Sequence, residues 1–368
     1  MNYKNLLFAT FLSTMCLTSC NTEGSSSSLT SLSSNEETEV LSSSKEPTLY
    51  DLVDQEFEKD EQLFNIDKIE LGVNETYNLS YMLKQQYLGS QCLIACETEG
   101  IIESIDSYNI KGLAIGESKV KVVSQGYYDE LVISVKDDEY MKANFTTDLG
   151  RLANKSFAVF GSSSSDPSAS AYEQRQYFWC EQIQDMANMT MYNHAKSGGI
   201  AGYIASKPNL MSISATTKIN NSIVLKDIEK CDFAFLLLGG NDYTYKSEIG
   251  SCGDVNDENY QTKESFKGAY SYIIDKILAT NPNTKIICLS ITASTWEYGT
   301  IDNSKNHAKT RQELANITKD VANEKNVKFI NLYDLWTTSS EDVNKYIPDG
   351  IHPLTIGHNL IREKIFNS

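Results

Sequence analysis

"DFAFLLLGGND" occupies residues 232–242. From Phe233 to Leu238 every side chain is apolar. A half-exposed strand alternates apolar with polar residues. An unbroken run of this kind is expected in a central strand whose two faces are both covered by helices. Working outward, "SFAVFG" (156–161), "TMYNHA" (190–195), "KIICLSIT" (285–292) and "VKFINLYDLW" (327–336) read as further strands. Between and after them lie stretches with helical spacing of apolar residues: "YEQRQYFWCEQIQDMANM" (172–189), "ESFKGAYSYIIDKILAT" (264–280), "KNHAKTRQELANITKDVANEK" (305–325) and "LTIGHNLIREKIF" (354–366). Strand–helix alternation predicts an α/β unit over residues 141–368, with a parallel sheet between two helical layers. In such sheets chemistry gathers beyond the C-terminal ends of the strands.

A chain of 368 residues exceeds one ordinary domain. Residues 64–140 show a different pattern. "DKIEL" (67–71), "TYNLSYML" (76–83), "SKVKVVS" (118–124) and "ELVISVK" (130–136) read as strands, and "GVNET" and "AIGES" as turns. The expectation is a small β-sandwich. Residues 20–63 are rich in Ser, Thr and Glu, as in "GSSSSLTSLSS" (24–34). With little apolar surface to bury, they are expected to form a flexible tether. Residues 1–19 combine Lys4 with the apolar stretch "LLFATFLSTMCL", of signal-peptide length.

Lys and Arg number 32 against 49 Asp and Glu, a net charge of −17. So acidic a surface repels phosphate backbones and argues against a nucleic-acid partner. Eight cysteines occur, but "CLIAC" (92–96) is not a metal-ligand spacing and has no partner pair. No metal and no cofactor is expected, and most of the cysteines read as small core residues.

Four segments fall just past the predicted strand ends: "FGSSSSD" (160–166), "NHAKSGG" (193–199), "LLLGGND" (236–242) and "DGIHP" (349–353). They offer a hydroxyl, glycine N–H groups, a side-chain amide and an Asp/His pair. Acyl transfer from an ester needs that set. A serine is a poor nucleophile until a histidine takes its proton, and a carboxylate fixes the tautomer of that histidine. The negative charge of the tetrahedral intermediate needs preorganised donors.

In this order and spacing the four segments resemble the SGNH/GDSL hydrolases. The resemblance implies a flavodoxin-like three-layer sandwich and a serine esterase. Its first block places Ser163 at the nucleophile and Ser162 where the family has an aspartate that commonly buttresses the loop. Nothing in the serine run separates Ser163 from Ser164, so register alone selects it. The other blocks imply Gly198 and Asn241, with Ser163 itself, as oxyanion donors, and Asp349 and His352 as partners of the serine. His358 is expected to pack or cap the last helix, and His194 and His307 to serve structure and solvent.

Two further resemblances sit upstream. "YNIKGLAIGESKVKVVSQGYYDELVISVKD" (108–137) is similar to group 2 bacterial Ig-like domains, which implies a surface spacer or adhesion module. "LTSC" (17–20) resembles a lipobox. It implies lipidation at Cys20 and tethering to the outer face of a bacterial membrane, each buried CH₂ contributing about 0.8 kcal/mol. The expected substrate is an acylated carbohydrate or another small ester, with O-acetyl removal as the first choice. A lipase or lysophospholipase chemistry, or a non-catalytic adhesin on the same fold, are the alternatives.

Overall fold

The computed structural model describes residues 47–60, 63–88, 90–169, 172, 174–203, 208–253, 264–296 and 306–368. The leader, Cys20 and the serine run at 24–34 lie outside the described residues. Among those described, no helix is long and apolar enough to cross a membrane.

The N-terminal half is built from β1 (Glu58–Lys59), β2 (Lys68–Gly72), β3 (Thr76–Asn78), β4 (Cys92–Cys96), β5 (Ile102–Ser104), β6 (Asn109–Gly112), β7 (Gly116–Ser124) and β8 (Tyr127–Lys136). One sheet runs β1-β8-β7-β4 with β2 also paired to β8, and a second runs β3-β6-β5. Gln125 (φ +53°) and Gly126 (φ +92°) join β7 to β8. Two successive left-handed residues are what a two-residue hairpin loop requires. Alternate residues point inward: Val120 and Val122 of β7 with Leu131, Ile133 and Val135 of β8 meet Ile102, Ile110 and Tyr77 from the other sheet.

Two expectations change here. Residues 47–60 are not simply an extension of the tether. Thr48 and Asp51 cap each other's backbone N–H groups, starting the helix Leu49–Glu56. Its Tyr50 and Val53 pack with Ala95, Val123 and Tyr128 of the larger sheet. The serine-rich composition stops short of this segment, which carries its own cap and its own apolar pair. "TYNLSYML" is also not one strand. The Asn78 side chain accepts from Ser80 N at 3.0 Å and turns the chain into a 3₁₀ turn, Leu79–Tyr81.

The C-terminal half contains β9 (Ser156–Gly161), β10 (Thr190–Asn193), β11 (Phe233–Leu237), β12 (Lys285–Leu289) and β13 (Lys328–Ile330). They form one parallel sheet in the order β10-β9-β11-β12-β13. The order reverses direction between β9 and β11, which opens a crevice at their C-terminal ends. The apolar run of β11 divides between two layers. Phe233, Phe235 and Leu237 face the helices Trp179–Met186 and Thr355–Phe366. Ala234, Leu236 and the following Leu238 face the helices Phe266–Thr280 and Arg311–Glu324. This explains why the sequence shows no alternation there.

The expected helix over 172–189 starts only at Trp179. Just upstream, Phe178 is extended, and Gln176 and Tyr177 bond to other partners. Tyr177 N donates to Thr355 Oγ1 at 3.0 Å, and Gln176 Oε1 accepts from Thr355 N at 2.7 Å. Glu181 Oε2 then accepts from Phe178 N at 3.1 Å, marking the helix start.

The two halves meet at the N-terminal ends of the parallel strands. Arg151 Nη1 pairs with Glu75 Oε1, and Nη2 donates to Glu70 O. Lys155 Nζ donates to Thr76 O at 2.9 Å, and Lys285 Nζ lies 3.5 Å from Glu75 Oε2. Tyr77 donates its hydroxyl to Asp148 Oδ1 at 2.8 Å.

Candidate active site

β9 ends at Gly161, and Ser163 opens the single 3₁₀ turn Ser163–Ser165. Only glycine fits at 161, because a Cβ there would lie 2.7 Å from the Ser165 side chain. Ser165 is fully buried. Trp179 Nε1 donates to Ser164 O at 3.2 Å, and Asn193 Nδ2 to Ser165 O at 2.8 Å. These bonds fix the backbone of the run and separate its serines, which the sequence could not do.

His352 Nε2 lies 3.0 Å from Ser163 Oγ, and His352 Nδ1 lies 2.7 Å from Asp349 Oδ2. The other Asp349 oxygen accepts from Ile351 N at 3.0 Å and His352 N at 2.8 Å. Burial pushes the Asp349 carboxyl up, but these backbone donors and the imidazole outweigh it and hold it below the usual carboxylate range. An ionised Asp349 assigns the Nδ1 proton to its side, so Nε2 faces Ser163 as an acceptor.

The turn carrying this pair has supports the sequence did not reveal. Gly350 has φ +87°, and a Cβ there would meet Thr295 Oγ1 at 2.1 Å. Ser294 Oγ and Thr295 N donate to Gly350 O at 2.7 and 3.0 Å. Trp296 Nε1 donates to Asp349 O at 3.0 Å, and the Tyr172 hydroxyl to His352 O at 2.5 Å. The "DG" pair signals a turn, but not the loop after β12 that fastens it.

Asn241 follows β11, where Gly239 (φ +119°) lets the chain turn sharply into the short helix Gly240–Thr244. Its Nδ2 donates to Gly199 O at 2.9 Å and leaves a second amide hydrogen. Gly198 is left-handed (φ +77°), and a Cβ on Gly199 would come within 3.1 Å of Gly161 O. Gly198 is thus linked to the cleft through its neighbour. Asp242 accepts from Ala201 N with both oxygens, at 3.1 and 3.0 Å, and burial lifts its carboxyl to about 6.

Asp166 joins the two loops. It accepts from Ser168 N at 3.0 Å, Ser168 Oγ at 2.6 Å and Ser197 N at 2.8 Å. Burial raises its carboxyl, but these donors and Lys196 bring it below the ordinary range. The signal was visible as the aspartate closing "SSSSD", four residues after Ser162. Ser162 itself lines a small cavity with Ser163, Asn241 and Arg311. A larger cavity, about 170 Å³, is lined by Ser163, His352, Tyr172, Phe178 and neighbours. Of the remaining histidines, His358 is buried and packs against Phe178, with ring centroids 4.5 Å apart and planes tilted by 35°. His194 lies 3.5 Å from Asp227, and His307 is buried. Among the described residues no group of three His, Cys, Asp or Glu side chains could hold a metal ion.

A hydroxyl, an imidazole and a carboxylate in one hydrogen-bonded line can shuttle a proton off the hydroxyl and onto a departing oxygen. Fold and sequence family together define a hydrolase acting on ester bonds. The chain belongs to the GDSL-like Lipase/Acylhydrolase family, which it matches over residues 159–360. It is similar to solved structures from several bacteria. A Lactobacillus plantarum protein is 17% identical, covering 58% of this chain and 94% of its own at a TM-score of 0.46. A protein described as a GDSL-like lipase, from Bacteroides ovatus, is 18% identical, covering 58% and 96% at 0.40. The lipase/acylhydrolase from Enterococcus faecalis is 16% identical, covering 58% and 93% at 0.36. No curated protein gives a significant match.

Proposed function

We propose that this hydrolase is a serine esterase with Ser163 as nucleophile, His352 as general base and then acid, and Asp349 as the residue that orients His352. The observation that carries the reading is the 3.0 Å and 2.7 Å line from Ser163 Oγ through His352 to Asp349. In the first step the Ser163 proton passes to His352 Nε2 while Oγ bonds to the carbonyl carbon. The second amide hydrogen of Asn241, with the N–H groups of Gly198 and Ser163, receives the negative oxygen. Collapse breaks the bond to the alcohol oxygen, which takes the proton from His352. Water then repeats the sequence, releasing the acid and restoring Ser163.

The substrate we assign is an O-acetyl group on a carbohydrate at the cell surface. Residues 64–140 act as an Ig-like spacer, a reading supported by two sheets closed over one core. A lipid on Cys20 holds the chain to the outer face of the membrane. The test is hydrolysis of p-nitrophenyl acetate by wild type, Ser163→Ala and Ser164→Ala. Loss in the first variant alone is expected. Loss in the second alone moves the nucleophile by one residue, and binding of acetylated glycan without turnover returns the adhesin reading. Incorporation of labelled fatty acid, abolished in Cys20→Ala, tests the anchor.

A further inference from the structure

We propose that the 170 Å³ cavity on the His352 side of Ser163 is the alcohol subsite and accepts one sugar ring, the acyl group lying on the Asn241 side. This rests on the serine-esterase reading above and adds a direction to it. The direction follows from proton transfer. The departing oxygen must take its proton from His352 Nε2, so the alcohol lies where His352 forms a wall. His352 lines the larger cavity and not the smaller one. The oxyanion must instead meet Asn241, which lines the smaller cavity and not the larger one.

Size points the same way. The larger cavity has room for roughly a dozen water-sized groups, the bulk of one hexose with its hydroxyls. The smaller one, about 30 Å³, holds about two, enough for the methyl end of an acetyl group. The chemistry of the walls also suits a sugar. Phe178 and Pro353 offer apolar surface to the C–H face of a ring, while Ser168, Gln174 and Arg175 bring polar groups for hydroxyls. His358 belongs to the same lining. It is 1% exposed, and its Nδ1 has no hydrogen-bond partner among the described residues. Burial pushes its pKa down to about 3, so a neutral ring backs this part of the lining.

Varying the acyl group while the alcohol is held constant separates this subsite from the acyl side. The experiment uses the full chain with an O-acetylated monosaccharide and with a series of p-nitrophenyl esters of rising acyl length. Gln174→Trp, at an exposed position, fills the cavity. The expected result is a tenfold or greater loss of kcat/KM for the acetylated sugar in Gln174→Trp. The order of preference among the p-nitrophenyl esters, which share one alcohol, keeps its wild-type pattern. The proposal is overturned if Gln174→Trp leaves the sugar ester untouched, or if it shifts the acyl-length preference, which would place the acyl group in this cavity. Absence of any acyl-enzyme on Ser163 in wild type is a different failure and removes the esterase reading instead.

Discussion

The two ends of the parallel sheet treat polar groups in opposite ways. At the C-terminal end, Asp349 and His352 remain 31% and 27% exposed and hold one proton that can move along a hydrogen-bonded line. At the N-terminal end, Arg151 and Glu75 are 1% and 7% exposed, and their charges are fixed. β9, β12 and β13 begin there, with Lys155 just ahead of β9 and Lys285 and Lys328 opening the other two strands. Burial depresses all three lysines, Lys328 to about 8. One sheet thus separates a solvent-accessible line of hydrogen bonds from a seam of buried, fixed charge. Damage at the first end should appear in rates, and damage at the second in stability.

The largest expected effect is at the first end. Ser163→Ala should lower esterase kcat by about four to six orders of magnitude, with the melting temperature unchanged within a degree or so. The mirror experiment is Arg151→Met, which leaves Glu75 buried without its main counter-charge. It should cost about 3–5 kcal/mol in denaturant unfolding while the folded fraction keeps wild-type kcat. A matching loss of kcat in that variant would break the contrast. Asn241→Ala should weaken the transition state by about 2.7–4 kcal/mol, read as kcat/KM with p-nitrophenyl acetate.

A pH experiment sharpens the second end. Burial alone would raise the Glu75 carboxyl, yet Arg151, Lys285 and Lys155 bring it down to about 2 from 4.5. The folded state therefore resists protonation that the unfolded chain accepts. Its contribution, about 3 kcal/mol, is complete above the unfolded value and disappears as pH falls from 4.5 towards 2. Urea midpoints across that window should fall more steeply in wild type than in Glu75→Gln. The smallest effect is at Asp166. Asp166→Asn keeps the shape but weakens charge-assisted bonds to two loops, and should cost about 1.5–3 kcal/mol, divided between kcat and stability. An effect on stability alone would make Asp166 part of the scaffold only.

The sequence shows most clearly what depends on short-range pattern. "SFAVFG" coincides with β9, and the run at 233–238 contains β11, because burial on both faces leaves a purely local signature. The choice of Ser163, Asp349 and His352 came from the resemblance of short blocks to the SGNH/GDSL hydrolases, and the fold brings their side chains within hydrogen-bond distance. What stayed hidden is held by long-range contacts. Nothing near Arg151 announces Glu75, because the partner comes from the other half of the chain. Ser294 and Trp296 serve a turn more than fifty residues away. The segment before Trp179 has helical periodicity, but Thr355 claims its polar groups first.

Trp296 has one more consequence. Of the three tryptophans, Trp179 and Trp336 are sealed in the core, while Trp296 is 42% exposed with its indole N–H on the Asp349 carbonyl. The molecule therefore carries a native fluorophore mounted on the reactive turn, and arrival of a ligand beside His352 can be followed by emission without attaching a dye.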